Sequence, residues 1–317
     1  MKIENVHFDS FVEFFNSVLP NGTFNKKIDG FIFRGESTSQ YKLIPSALRL
    51  ENKKRLWREN EPKGNLSEFE YWQVLAEYNL LRDFYRIANS NGLKVPYVRK
   101  IRENLVTNAP IEYFLGQSSI KWLNTEFDEL AALAQHYGVL TRMLDWTFDL
   151  YVALYFAAIG AMKRANSQKI EKVDNIVIWA LNSRLINFYQ QAGNRIPINF
   201  VVPSYSDNPN LNAQKGVLTY WEIEMENNLS KMLDDKSLKL IDRTPLDELI
   251  LNFGPKQEED SQTILYKLEI PASDFCSMYE TIKKMNYSAA KLFPGYDGVR
   301  KLIDEDALNA RFKKNKP

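Results

Sequence analysis

Apolar and polar positions alternate along the chain in ways that separate helical from extended segments. An opening helix is expected over Ser10 to Leu19, with Ser10 and Glu13 at capping-box spacing and Pro20-Asn21-Gly22 as its stop. Gly30-Phe31-Ile32-Phe33-Arg34-Gly35 is apolar nearly throughout and predicts a short strand buried on both faces. From Asn65 to Asn91 the period is helical, with Ser67 and Glu70 spaced for a cap and Asn91-Gly92 for a stop. Phe69, Trp72, Leu75 and Ala76 form its expected inner stripe. Thr125 caps a further helix ending at Gly138, with Phe127, Leu130, Ala131 and Ala134 on one side. Leu150 to Arg164 is apolar almost all round and predicts a central buried helix. Asn175 to Leu181, Val217 to Ile223 and Gln262 to Ile270 read as strands, the last with Ile264, Tyr266, Leu268 and Ile270 on one face. Pro271 starts a helix through Asn286, and Val299 to Ile303 is expected to close the core. Helices come early and strands late, which predicts an α+β fold with a mostly antiparallel central sheet. The expected organisation is an N-terminal helical segment at 1–27, one domain at 28–303 and a tail at 304–317. A helical insertion at about 51–134 lies between the first strand and the His136 loop.

One connection breaks the apolar pattern. Between the helix ending at Gly138 and the helix from Leu150, the chain reads Gln135-His136-Tyr137-Gly138-Val139-Leu140-Thr141-Arg142-Met143-Leu144-Asp145-Trp146-Thr147. So polar a stretch between apolar helices costs free energy unless its side chains bond one another or a ligand. His136 closes a helix, where the dipole favours an imidazolium, or else it caps a carbonyl. Arg142 and Asp145 either meet a ligand or pair with each other, and Trp146 closes a pocket or fills the core. Thr147 or Asp149 is expected to cap the next helix. Upstream, Arg34 leaves a buried strand with a fork of donors suited to phosphate, unless a carboxylate claims it, and Gly35 lets a ligand approach the backbone. Downstream, Gln214 and Gly216 sit at the mouth of a strand. The turn-rich Leu292-Phe293-Pro294-Gly295-Tyr296-Asp297-Gly298 either lines the same cleft or is a structural turn.

Composition removes several function classes. The 41 Lys and Arg against 40 Asp and Glu give a net charge of +1, which argues against bulk capture of nucleic acid or anionic membrane and leaves a local basic patch open. Cys276 is the single cysteine, so neither a disulfide framework nor a thiolate metal cluster is expected, and a reducing, cytoplasmic setting fits. The opening Met-Lys-Ile-Glu-Asn has no secretory apolar core, and the run from Tyr151 to Met162 is too short to span a bilayer. His7 and His136 lie far apart, with neither His-x-x-x-His nor Cys-x-x-Cys spacing, so no metal is expected. Walker A, Gly-x-Gly-x-x-Gly and Gly-x-Ser-x-Gly patterns are also missing from the sequence.

The motifs together resemble the FRG domain family, named for a (Phe/Tyr)-Arg-Gly motif. Phe33-Arg34-Gly35 matches it, and Ile44-Pro45-Ser46-Ala47-Leu48-Arg49 is similar to the family's Pro-Ser-Leu-Arg segment. The stretch from Gln135 to Thr147 resembles its long Gln-His-x-Gly-x-Pro-Thr-Arg-Leu-Leu-Asp-Trp-Thr signature, with Leu140 in place of Pro and Met143 in place of Leu. Ala213 to Leu218 and Leu292 to Gly298 resemble its later motifs, so the resemblance runs over about residues 30 to 303. The first motif is similar to that of arginine-type ADP-ribosyltransferases, which implies that fold and NAD as the substrate. Arg34 with Arg142 would then anchor the pyrophosphate, alongside Gly35 and Thr141, with Tyr137 or Trp146 as the ring-stacking wall. His136, Gln214 and Asp145 are the candidates for chemistry, Asp145 being expected to orient the loop rather than to react. Glu222 and Glu224 form a Glu-x-Glu, though not at a spacing from Gln214 that the transferase pattern uses. The resemblance implies an ADP-ribosyltransferase or NAD glycohydrolase acting as an effector in bacterial toxin or phage-defence systems. Its partners would be an acceptor macromolecule and a cognate inhibitor or defence-system protein. Two alternatives stay open: a non-catalytic module of the same fold sensing a nucleotide or a partner, and a metal-dependent nuclease using Asp145, Asp297 and Glu222.

Overall fold

The four apolar runs read as strands all enter one sheet. The computed structural model describes residues 2–58, 60–104, 119–167, 174–226, 238–253 and 262–314. Its strands are β1 (Lys2–His7), β2 (Ile32–Glu36), β3 (Ser119–Trp122), β4 (Met143–Thr147), β5 (Asn175–Leu181), β6 (Ile198–Val201), β7 (Gly216–Trp221), β8 (Ile223–Glu226) and β9 (Thr263–Pro271). Seven of them form a sheet in the order β1-β9-β5-β2-β4-β7-β6, while β3 and β8 pair separately. Every neighbouring pair in the large sheet is antiparallel except β1 with β9. The fold is therefore mixed α+β around a mostly antiparallel sheet.

The α-helices, in chain order, are α1 (Phe11–Val18), α2 (Lys53–Trp57), α3 (Glu70–Ser90), α4 (Arg99–Glu103), α5 (Asp128–His136) and α6 (Leu150–Ser167). They continue with α7 (Ser183–Gln191), α8 (Pro209–Gln214), α9 (Leu246–Leu249), α10 (Phe275–Lys284), α11 (Ala289–Leu292) and α12 (Tyr296–Lys314). The opening helix forms as its caps predict. Ser10 accepts from the Glu13 amide at 3.2 Å, while the Glu13 carboxylate takes the Asp9 amide at 2.7 Å. Ser67 and Glu70 do not cap α3. Ser67 donates to Glu61 and Glu70 turns inward to Arg142, so α3 starts without a side-chain cap. Of the expected stripe Leu75 and Ala76 are buried while Phe69 and Trp72 are only partly so, and Tyr71, Val74, Tyr78, Leu81 and Tyr85 complete the buried face of α3.

Strand alternation sorts the core into layers. Phe33 of β2 and Ile176, Ile178 and Ala180 of β5 meet α6, α10 and α1 in one cluster. Met143 of β4 and Leu218 and Tyr220 of β7 meet α3, α5 and β3 in a second. Because Phe33 pairs directly with Thr147, and Thr147 shares a face with Met143, the two clusters lie on the same side of the sheet. Ile32, Leu144, Trp146, Val177 and Trp179 fill a third cluster on the opposite side.

Five strands were not expected from sequence: the separate pair β3 and β8, and three strands of the large sheet. The signature expected as a loop holds β4, in the middle of the sheet, while β1 and β6 lie at its edges. Val299 and Ile303 do not close the core. Both are exposed, and α12 packs instead through Leu302, Leu308 and Phe312.

Candidate functional site

Strands β2 and β4 share a single backbone pair, Phe33 with Thr147, and the sheet opens beyond it. Helices α5 and α6 flank that seam, and the gap is a cleft of about 350 Å³, within the range of small-molecule sites. Arg34, Gly35, Gln135, His136, Asp145, Trp146, Thr147, Gln214 and Gly216 all contribute to its lining, and Val152, Phe156, Leu211 and Phe293 supply apolar walls. Residues more than a hundred positions apart in the chain thus meet at one seam.

Arg34 bridges the opening. Its Nε donates to Glu36 Oε1 at 2.8 Å and its Nη1 to the Asp145 carbonyl at 2.9 Å, with the Asp145 carboxylate 3.9 Å away. Burial works against its charge, but Glu36 first and Asp145 second outweigh that, so the guanidinium is held above its ordinary pKa. Nη2 has no hydrogen-bond partner among the described residues.

Asp145 belongs to β4 and does not cap a helix. Its side chain is 68% exposed, and Oδ1 accepts from Gln135 Nε2 at 2.6 Å. It is the one carboxylate lining the cleft among the described residues. Capping of α6 falls to its neighbours: Thr147 Oγ1 accepts from the Asp149 amide at 3.0 Å and Asp149 Oδ1 from the Tyr151 amide at 3.0 Å. Asp149 Oδ2 also accepts from Lys215 Nζ and Tyr287, which ties α6 to the turn before β7. His136 ends α5, with Asn210 Nδ2 at 3.1 Å from its Nε2. Burial lowers its pKa, and Lys301 adds to that against the opposing pull of Asp145, so the neutral imidazole is favoured. With Asn210 donating, Nε2 accepts and the ring proton lies on Nδ1.

Several residues singled out by sequence have other surroundings. Arg142 is not in this cleft. Its Nε reaches both carboxylate oxygens of Glu77, at 2.8 and 2.9 Å, its Nη1 bonds Glu70, and all three residues are buried. Thr141 is buried and donates to Gln135, holding the residue that in turn holds Asp145. The Trp146 indole packs in the third core cluster and donates to Thr219 at 2.8 Å, while the residue also contributes to the cleft lining. Tyr137 is 68% exposed and lies outside the cleft lining. The aromatic walls are Phe156 and Phe293, whose ring centroids are 6.1 Å apart and perpendicular. Phe293 was legible as part of a turn facing the cleft, whereas Phe156 was hidden in an apolar helix. Gln214 donates to the Leu292 carbonyl at 3.1 Å and its own carbonyl accepts from Thr147 at 2.7 Å, so it joins α8 to α11 and β4.

Gly35 serves packing as well as access. A Cβ there would meet the Ala153 carbonyl oxygen at 1.9 Å, so glycine is what lets α6 lie against β2. Gly35→Ala is expected to destabilise the protein by about 3 kcal/mol or more, read as a shift of the denaturation midpoint. A midpoint within error of wild type would show that α6 can move away from β2.

The carboxylates of the nuclease alternative are dispersed. Asp297 pairs with Arg300 and Lys301, and Glu222 with Lys121 and Asn199. Glu224 also pairs with Lys121. Among the described residues, no group of three or more His, Cys, Asp or Glu could hold a metal ion. No helix among them is long and apolar enough to cross a membrane.

Comparison with curated proteins and with solved structures gave no match. A family comparison did: the model described as the FRG domain matches residues 29–166, which take in the Arg34 strand, α5, β4 and nearly all of α6. The later motifs at Gln214 and Phe293 fall beyond the matched span, although their side chains complete the same cleft. Residues 29–166 are thus similar to the FRG domain.

Proposed function

We propose that the cleft at the β2–β4 seam binds NAD and that the protein is an ADP-ribosyltransferase or NAD glycohydrolase. The observation that carries this reading is the placement of one carboxylate, Asp145, beside Arg34 in a cleft with aromatic walls. Cleavage of the nicotinamide–ribose bond develops an oxocarbenium-like cation at the ribose C1′, which a nearby carboxylate stabilises. Asp145 is exposed toward the cleft and fixed by Gln135 and thus suits that role better than neutral Gln214, which is occupied by Leu292. Arg34 Nη2 would take a pyrophosphate oxygen, and Phe156 and Phe293 would flank a ring. The C–N bond breaks with its electron pair leaving on nicotinamide, and water or an acceptor hydroxyl then adds to C1′. The proton lost by that oxygen can pass to neutral His136 once Asn210 turns away. The single cysteine, Cys276, supports placing this activity in the cytoplasm, and the family resemblance supports an effector of a bacterial toxin or phage-defence system acting on a macromolecular acceptor and restrained by a cognate partner.

A second reading has one observation behind it. Arg34 is already balanced by Glu36 and bonded to the Asp145 carbonyl, as suits a module that senses a nucleotide without turning it over. Proton NMR of NAD with the purified protein separates the two. Turnover predicts release of free nicotinamide by the wild type and a loss of about a hundredfold or more in Asp145→Asn at unchanged fold. Binding of NAD with no nicotinamide released by either protein supports the sensing module, and equal release by both removes Asp145 from the mechanism.

A further inference from the structure

A second cleft, of about 250 Å³, is reached from the other face of β4. Leu144, on the opposite face of the strand from Asp145, contributes to it, and Glu70 and Arg142 form part of its lining. Leu43, Pro45, Leu246 and Leu249 give it apolar walls on part of its lining; Thr244 and the charged Arg195, Lys239, Asp242, Glu222 and Glu224 line the rest. The Glu70–Arg142 pair is made through one atom of each group, Oε1 with Nη1. Glu70 Oε2 and Arg142 Nη2 are buried and have no hydrogen-bond partner among the described residues. Each is attached to the same carbon as a bonded partner atom, so an unpaired acceptor and an unpaired donor flank one ion pair.

Such orphaned groups are costly, and they specify what would satisfy them. An anion is disfavoured because Glu70 and Glu77 already surround Arg142, and in the rest of the lining Glu222, Glu224 and Asp242 outnumber Arg195 and Lys239. A bare cation would satisfy Glu70 and leave Arg142 Nη2 unpaired. A neutral edge with one acceptor beside one donor satisfies both without adding charge, and apolar walls accept the flat body that carries it. We propose that this cleft binds such a donor–acceptor edge, of the kind carried by a nucleobase or a carboxamide, and that it is a ligand site separate from the Arg34 cleft.

The test uses guanosine as the nucleobase probe, benzamide as the carboxamide probe and benzoate as a control lacking the donor. Saturation-transfer NMR and calorimetric titration are run on the wild type and on Thr244→Trp and Leu249→Trp, which narrow the cleft and leave Glu70 and Arg142 intact. Binding of guanosine or benzamide, at least about tenfold tighter than benzoate and weakened to a similar degree in either tryptophan variant, is expected. Guanosine alone binding identifies a nucleobase as the source, and benzamide alone a small carboxamide. Failure of both probes to bind, equal binding of benzoate, or binding unchanged in both tryptophan variants would overturn the inference. None of these outcomes depends on turnover of NAD, so its failure and that of the Arg34-site reading are told apart.

Discussion

Arg142→Ala is expected to unfold the protein, or to leave it about 3–5 kcal/mol less stable, under conditions where Arg34→Lys stays folded. Arg142 is buried between the carboxylates of Glu70 and Glu77, both at most 1% exposed. Gln73 adds to this network, donating to Glu77 and to the Ala47 carbonyl at 2.8 and 2.9 Å. Removing the guanidinium leaves two carboxylates in the interior with no counter-charge, so they must take up protons or water must enter. Chemical denaturation of the variant reads the effect. A variant with the wild-type midpoint, impaired only in ligand binding, would return Arg142 to the ligand-anchoring role expected from sequence.

The same network predicts a pH dependence. Burial raises the Glu77 carboxyl to about 7, against the opposing pull of Arg142 and of the hydrogen bonds from Arg142 and Gln73. A carboxyl raised above its unfolded value holds its proton in the folded protein where the unfolded chain has lost it. Its contribution is therefore fully present below the unfolded value of 4.5 and is lost as pH rises through about 7, with a slope of at most about 1.4 kcal/mol per pH unit. Glu77→Gln cannot titrate there and should flatten the stability profile between those limits. An unchanged slope would assign the titration to another group.

Arg34→Lys is the second large effect. Lysine keeps a positive charge for Glu36, so the fold should hold with a small loss of stability. A point charge cannot keep Nε on Glu36, Nη1 on the Asp145 carbonyl and a third edge free for phosphate. Nicotinamide release should fall by about a hundredfold or more. Arg34→Ala should lose activity equally and also destabilise the protein by about 1–3 kcal/mol, because the nearly buried Glu36 loses its partner. Thermal melts with NAD-cleavage assays on both variants separate the two effects. Full activity in the lysine variant would mean that charge alone suffices.

The sequence announced elements whose pattern had a single cause. The run at β5 is buried on both faces and reads as a strand, and α6 is apolar because it packs among sheet and helices. The Ser10–Glu13 cap is local and formed as read. Strand β4 was not legible for a physical reason. One of its faces is core, at Leu144 and Trp146, while the other runs from core at Met143 to Asp145 and Thr147 at a cleft, and so short an alternation reads as a polar loop. Strand β1 is an edge strand, charged and half-exposed, with little apolar signal. The convergence of Arg34, His136, Asp145 and Gln214 followed from motif residues too polar for their surroundings. The diversion of Arg142 did not, because Glu70 and Glu77 lie two turns apart on a helix more than sixty residues upstream and only the fold aligns them. Gln214 lies in the cleft lining, but its amide is bonded to the Leu292 carbonyl.

The most direct test of the Arg34 cleft is a crystal structure of the Asp145→Asn variant with NAD, the substitution serving to slow turnover while keeping the shape of the side chain. The expected result is a dinucleotide at the β2–β4 seam, with a pyrophosphate oxygen within hydrogen-bond distance of Arg34 Nη2, the nicotinamide ribose beside residue 145 and a ring against Phe156 and Phe293. NAD bound elsewhere, with Arg34 still engaged as in the free protein and the seam empty, would contradict the account.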